Sequence, residues 1–240
     1  MLIALLYHHA LGHKKGSNAL KRLEEHFRYI ATHYNVLLPG EPLPKGVSLC
    51  LTFDDAFFDF YHLIFPLLEK YQLKAVLAVP TAYIEEKTAL SPSERLSMIS
   101  TFSFKGPKTP SASFCTWEEL QALSKSPLIE IASHSHFHAS SLSADELLLS
   151  KSLLEKNLQT PVNTLIYPYG SFSYKRHKQA KQLYRYIFRI GNALNFSWKN
   201  TNHLLYRIHG DRLSAPEAPF HWKERLKQGV SFVWNTLRLK

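Results

Sequence analysis

Short apolar runs alternate along the chain with segments of helical periodicity. Continuous apolar runs at 2–7, 47–53, 75–79, 129–133, 164–167, 186–190 and 204–208 predict seven strands. They show little hydrophobic–polar alternation, the pattern of parallel strands covered on both faces. Helical spacing of apolar residues predicts helices near 18–33, 59–71, 116–125, 143–158 and 173–184. Two of these starts, Thr116-x-x-Glu119 and Ser143-x-x-Glu146, have the form of capping boxes. Strands alternating with helices predict an α/β fold, either a barrel or an open doubly wound sheet. Residues 85–114, rich in Ser, Pro, Lys and Thr, break the rhythm and read as one long loop. The opening MLIALLYHH is too short to span a membrane and lacks the basic start and cleavage site of a signal peptide. It reads as a buried strand.

Composition adds two constraints. With 240 residues and 45% hydrophobic content the chain can bury a core, which excludes general disorder and suits one large domain or two small ones. The formal net charge of +10 is unevenly placed. Residues 1–169 carry 15 basic and 16 acidic side chains, whereas residues 170–240 carry 14 and 3. The excess points either to an anionic partner, lipid or nucleic acid, or to a solvated basic face. Within it, 216–240 predicts a basic amphipathic helix on which Trp222, Leu226, Val230, Val233, Trp234 and Leu237 form an apolar stripe. The expected placement of that stripe is against the barrel, with a membrane interface as the alternative. Cys50 and Cys115 show no ligand spacing and suit a reducing compartment.

The candidate chemistry lies at three strand ends, where parallel α/β folds gather their active sites. Thr52-Phe53-Asp54-Asp55 places two carboxylates where strand alternation gives way to a loop. Both can then reach one cleft, or one of them can cap the next helix. Ser133-His134-Ser135-His136-Phe137-His138 puts three histidines in five residues, and either 134/136 or 134/138 can grip one metal ion. Tyr167-Pro168-Tyr169-Gly170 fixes a turn whose backbone N–H groups can face a cleft. Two histidines and a carboxylate leave metal positions open for water and substrate, the arrangement for metal-assisted hydrolysis of an amide or ester.

The ordered set TFDD, SHSHFH and YPYG resembles the polysaccharide deacetylases, the NodB-homology domain of carbohydrate esterase family 4. Thr116-Trp117-Glu118-Glu119-Leu120 and Tyr7-His8 extend the likeness, the latter toward the poly-N-acetylglucosamine deacetylase branch. The resemblance covers roughly residues 2–210 and implies a distorted (β/α) barrel of seven or eight strands, with the domain at 1–215 and the terminal helix at 216–240. It implies Asp54 as the base acting on metal-bound water, and Asp55, His134 and His138 as ligands of one divalent ion, most simply zinc. His8 becomes the general acid, Tyr169 a backbone donor to the oxyanion, and Tyr167, Pro168 and Gly170 substrate contacts. His136 and His9 are left structural.

The family pattern has Gly where this chain has Ala56, and often an Arg before the third motif, where this chain has none. Arg207 and Asp211 are late-motif candidates, with Arg207 expected at a strand end facing solvent. The implied substrate is an N-acetylated glycan, on a lipid-linked precursor if the basic tail meets an anionic membrane. The expected setting is cytoplasmic, at the inner membrane face, with no specific nucleic acid. Against this stand another amidohydrolase chemistry through His134 and His136, and a non-catalytic binder of anionic lipid or nucleic acid.

Overall fold

The computed structural model describes residues 1–10, 19–211 and 215–238. In chain order the elements are β1 (Leu2–Tyr7), α1 (Ala19–His33), β2 (Asn35–Val36), β3 (Ser48–Phe53), α2 (Phe65–Tyr71), β4 (Ala75–Val79), α3 (Pro92–Ile99), α4 (Trp117–Ser124), β5 (Ile129–Ser133), α5 (Ala144–Leu158), β6 (Thr164–Ile166), α6 (Tyr174–Leu183), β7 (Tyr186–Ile190), β8 (Leu204–His209) and α7 (Trp222–Leu237). All pairings between these strands are parallel. Strands β3 to β8 follow one another around the sheet, and β1 pairs with both β8 and β3, closing a seven-stranded barrel. The two-residue β2 lies beside the start of β3 as an eighth strand.

Burial on both faces explains the continuous apolar runs. One set of strand positions, including Ile3, Leu5, Leu51, Leu77, Ile131 and Leu165, packs outward beneath the helices. The alternate set, including Leu2, Ala4, Cys50, Val76, Ala132, Ile166, Phe188 and Leu205, fills the barrel interior. β5 and β6 share only the pair Ser133–Leu165, which is where the barrel is most distorted.

The structure changes three sequence expectations. The predicted helix at 59–71 is a π-helical turn, Phe60–Ile64, followed by α2. Pro66 in its first turn has no N–H to continue the ladder. The supposed loop 85–114 contains α3, capped by a Ser91–Glu94 capping box with Pro92 at its start. The Thr116–Glu119 box is complete, but at α5 only Ser143 caps, accepting from the Glu146 N–H.

Candidate active site

Strand parity delivers the polar groups to one place. The interior series of β3 runs through Cys50 and Thr52 to Asp54, that of β5 through Ala132 to His134, and that of β8 through Leu205 to Arg207. All arrive at the carboxyl edge of the barrel. Arg207 is fully buried at 0% exposure. Its Nη1 donates to Asp54 Oδ1 at 2.6 Å and to Thr52 Oγ1 at 3.2 Å, and its Nη2 donates to Asp54 Oδ2 at 2.9 Å. The expectation of a solvent-facing Arg207 is therefore corrected. Its forked guanidinium grips both oxygens of Asp54. Burial alone would raise the Asp54 pKa. Arg207, with His134 and His8, outweighs burial and holds the carboxyl below its usual range.

Asp55 reaches the same cleft because the chain turns left-handed there. Asp55 has φ 76° and Ala56 φ 52°, which ends the strand alternation. Asp55 Oδ1 lies 3.5 Å from His134 Nε2 and 3.2 Å from His138 Nε2. The candidate ligand atoms of Asp55, His134 and His138 all fall within 4.8 Å of one another, and all three residues are buried. His134 Nδ1 is 2.8 Å from the Ile166 carbonyl, across the gap between β5 and β6. A carbonyl only accepts, so Nδ1 carries the hydrogen and the Nε2 lone pair faces the carboxylates. Burial pushes the His134 pKa down to about 4, against the pull of Asp54, so the ring is neutral at pH 7. Asp55 Oδ1 is buried with no conventional hydrogen-bond donor. A neutral imidazole and an unsatisfied carboxylate oxygen, with His138 Nε2 alongside, fit one divalent cation.

The flanking residues orient this group. His136 turns away, its Nδ1 2.8 Å from Thr81 Oγ1, so the cluster forms through 134 and 138 rather than 134 and 136. The Glu146 carboxylate accepts from the Phe137 N–H at 2.9 Å, bracing the histidine loop from α5. His8 Nδ1 lies 2.6 Å from Asp211 Oδ2, and the His8 backbone N–H donates to the other oxygen at 3.3 Å. Burial pulls the His8 pKa down, but the Asp211 bond and the charges of Asp54 and Asp55 raise it to about 9. His9 lies edge-on to Phe57.

At the third motif, Tyr169 adopts φ 56° and sets its exposed ring 4.5 Å from that of His138, centroid to centroid. Gly170 follows at φ 65°, where a Cβ would meet Ile190 at 2.9 Å, so this turn requires glycine. Tyr167 and Pro168 are buried, and the Tyr167 hydroxyl meets His177 Nδ1 at 3.2 Å. These two side chains are packed within the turn, and the exposed ring beside the cleft is that of Tyr169.

Sequence reasoning missed one wall altogether. Phe104 stacks on His138 with ring centroids 3.8 Å apart, and with Phe102 it packs on Phe57, Tyr83 and Phe114. Arg95 of α3 anchors this segment, donating to the Ala112 and Phe114 carbonyls and to both oxygens of Glu119.

A closed parallel barrel with a buried Asp-His-His group and a second, arginine-held carboxylate at its carboxyl edge defines an α/β-barrel hydrolase type of site. The chain belongs to the polysaccharide deacetylase family, whose profile, described as "Polysaccharide deacetylase", matches residues 43–187. That stretch holds Asp54, Asp55, His134, His138 and Tyr169, whereas His8, Arg207 and Asp211 fall outside it. A 95-residue segment is 30% identical to the poly-beta-1,6-N-acetyl-D-glucosamine N-deacetylase of Escherichia coli (strain K12), covering 40% of this chain and 12% of that protein's length. The fold is similar to the Streptococcus pyogenes deacetylase PplD in complex with acetate, with a TM-score of 0.70 and 21% identity over 95% of this chain and 97% of that one. It is also similar to IcaB from Ammonifex degensii, with a TM-score of 0.66 and 15% identity over 98% and 97% of the two chains.

Proposed function

We propose that the chain is a metal-dependent hydrolase that removes N-acetyl groups from an N-acetylated glycan. The observation that carries this reading is the buried group of Asp55, His134 and His138 with Asp54 held ionised beside it. Asp55, His134 and His138 would hold one divalent cation, for which zinc suits the mixed nitrogen and oxygen donors. When bound, the cation supplies Lewis acidity toward a water molecule and the amide carbonyl. Asp54 takes the proton of the attacking water on a carboxylate oxygen, and Arg207 keeps that carboxylate charged and aimed beforehand. His8 is held protonated by Asp211. It gives a proton from Nε2 to the departing amine nitrogen. The Tyr169 backbone N–H is assigned to the oxyanion, a contribution of several kcal/mol when such a donor is placed in advance.

In balance, the amide C–N bond breaks, the water oxygen joins the acyl carbon, and acetate and a free amine leave. The relative's printed name supports a β-linked N-acetylglucosamine polymer as the kind of substrate. The charge of the last third supports a form of it carried on an anionic lipid.

Acetate release from a soluble N-acetylated oligosaccharide tests the reading. Exhaustive chelation should abolish release, and added zinc should restore it. Release that survives complete metal removal contradicts it, as does a folded, zinc-loaded chain that releases no acetate.

A further inference from the structure

Helix α7 shows its apolar stripe to solvent. The helix packs on the barrel through its opposite face. The Gln228 carbonyl accepts from the Leu194 N–H, Phe232 meets the rings of Phe196 and Tyr206, and Asn235 donates to the Gly191 carbonyl at 2.9 Å. On the far side Leu226, Val230, Val233, Trp234 and Leu237 are each 56–64% exposed. The expectation that this stripe packs on the barrel is thus reversed. The side chain of Trp222, the stripe's first predicted member, lies outside the described residues. These five account for nearly half of the large apolar side chains exposed among the described residues, so they form a patch rather than a scatter.

Charge selects the occupant. Lys223 and Lys227 are exposed on the same helix, Lys227 at 2.7 Å from Glu224 Oε1, and the exposed Arg238 caps its end with the guanidinium 4.8 Å from the Trp234 ring centre. They belong to the segment that carries 14 basic and 3 acidic residues. A second copy would bring two such basic faces together, and their repulsion opposes pairing. An anionic bilayer instead offers headgroup charge to the basic side chains and apolar depth to the stripe, with tryptophan suited to the boundary. A 16-residue helix spans about 24 Å. No helix among the described residues is long and apolar enough to cross a membrane, so α7 would lie in the surface plane.

Its last turn also touches the site's edge. Asn235 holds Gly191, which follows the carboxyl end of β7, and the neighbouring Ile190 packs under Gly170 of the Tyr169 turn. We propose that the outward face of α7 is a docking surface for an anionic lipid bilayer, which sets the carboxyl edge of the barrel beside that surface. The docking does not depend on the chemistry assigned to the cleft.

Flotation of the full chain with vesicles tests it. The chain should float with vesicles of phosphatidylglycerol mixed into phosphatidylcholine and not with phosphatidylcholine alone, and added salt should weaken the binding. The double variant Val230→Asp/Trp234→Asp alters only exposed positions, and circular dichroism checks its fold. It should partition about tenfold less or weaker still, since it loses apolar insertion and adds repulsion. Lys227→Glu should also bind more weakly. Equal binding by wild type and the double variant overturns the proposal. So does absence of binding to anionic vesicles, or a concentration-dependent dimer that the double variant disperses while no vesicle is bound. Acetate release from a soluble oligosaccharide reports on the deacetylase reading separately.

Discussion

Ala56 sits at φ 52° with its methyl fully buried. The left-handed conformation costs an L-residue about 1–2 kcal/mol. Glycine would escape that cost, but it would forgo about 0.8 kcal/mol of methyl burial and order a freer backbone at roughly 0.5–1 kcal/mol. These terms nearly cancel, which accounts for alanine where the resemblance expects glycine. Asp55, Ser135, His138 and Tyr169 share the left-handed conformation, so half of the ten non-glycine residues described with positive φ lie in the site loops. Strain is concentrated where side chains must leave strand geometry to meet.

The His8–Asp211 pair gives a prediction at the same scale. As the proposed acid, His8 would act only while protonated, so a folded pKa of about 9 should set a basic limb in kcat/KM near that pH. In Asp211→Asn the supporting charge is gone and the downward push of burial is less opposed. The basic limb should move at least about one pH unit lower. A limb that stays in place in a pH–rate profile rejects His8 as the acid. The motif residues were legible because each closes a strand-end segment. Arg207 stood out only as a late-motif candidate and its inward place was not legible, since its partner Asp54 lies 153 positions away. The one available clue was that Leu205 and Arg207 continue the interior series of β8.

Among the elements, the strands were the most legible, because burial on both faces writes an uninterrupted apolar run. The two-residue β2 leaves no such trace. α3 escaped notice for a different reason: its eight residues mix Ser, Glu, Arg and Met with few apolar positions, and its hold on the fold is Arg95. That guanidinium is buried against the partly buried Glu119, 2.6 Å from Oε1, and lies 3.5 Å from the Phe58 ring centre. Arg95→Ala strands the Glu119 carboxylate and should cost about 3–5 kcal/mol in denaturant unfolding. It should also raise KM by loosening the Phe102–Phe104 wall. A loss below about 1 kcal/mol rules out Arg95 as the anchor, since exposed pairs fall in that range. α7 illustrates the remaining limit of periodicity. The stripe was visible in the sequence, but which side met the barrel was decided by Gln228, Phe232 and Asn235 through contacts distant in sequence.

For the molecule as a whole, the candidate site among the described residues lies at the carboxyl edge, while the barrel interior toward the other end is packing. Glu130 is the exception there, a partly buried carboxyl on β5 that accepts from Thr164 Oγ1 and whose pKa desolvation raises from 4.5 to about 7. Folded Glu130 binds its proton more tightly than unfolded Glu130 does. Its stabilisation is full below pH 4.5 and is lost as pH rises through 7. Glu130→Gln keeps an acceptor for Thr164 without the charge. The variant should gain about 1–3 kcal/mol over wild type at pH 8 and little at pH 4.5. Thermal unfolding at the two pH values decides it, and an equal difference at both contradicts the desolvated-carboxyl account. The net charge of +10 divides along the sequence, since residues 1–169 are near neutral and the excess lies in residues 170–240. In the proposed mechanism Asp54 drives hydrolysis beside a metal site that does not need it. Acetate release by Asp54→Asn, measured on protein of known metal content, tests this most directly. Release should fall to background with one divalent ion still bound per chain. Release at the wild-type rate with the metal in place would contradict it.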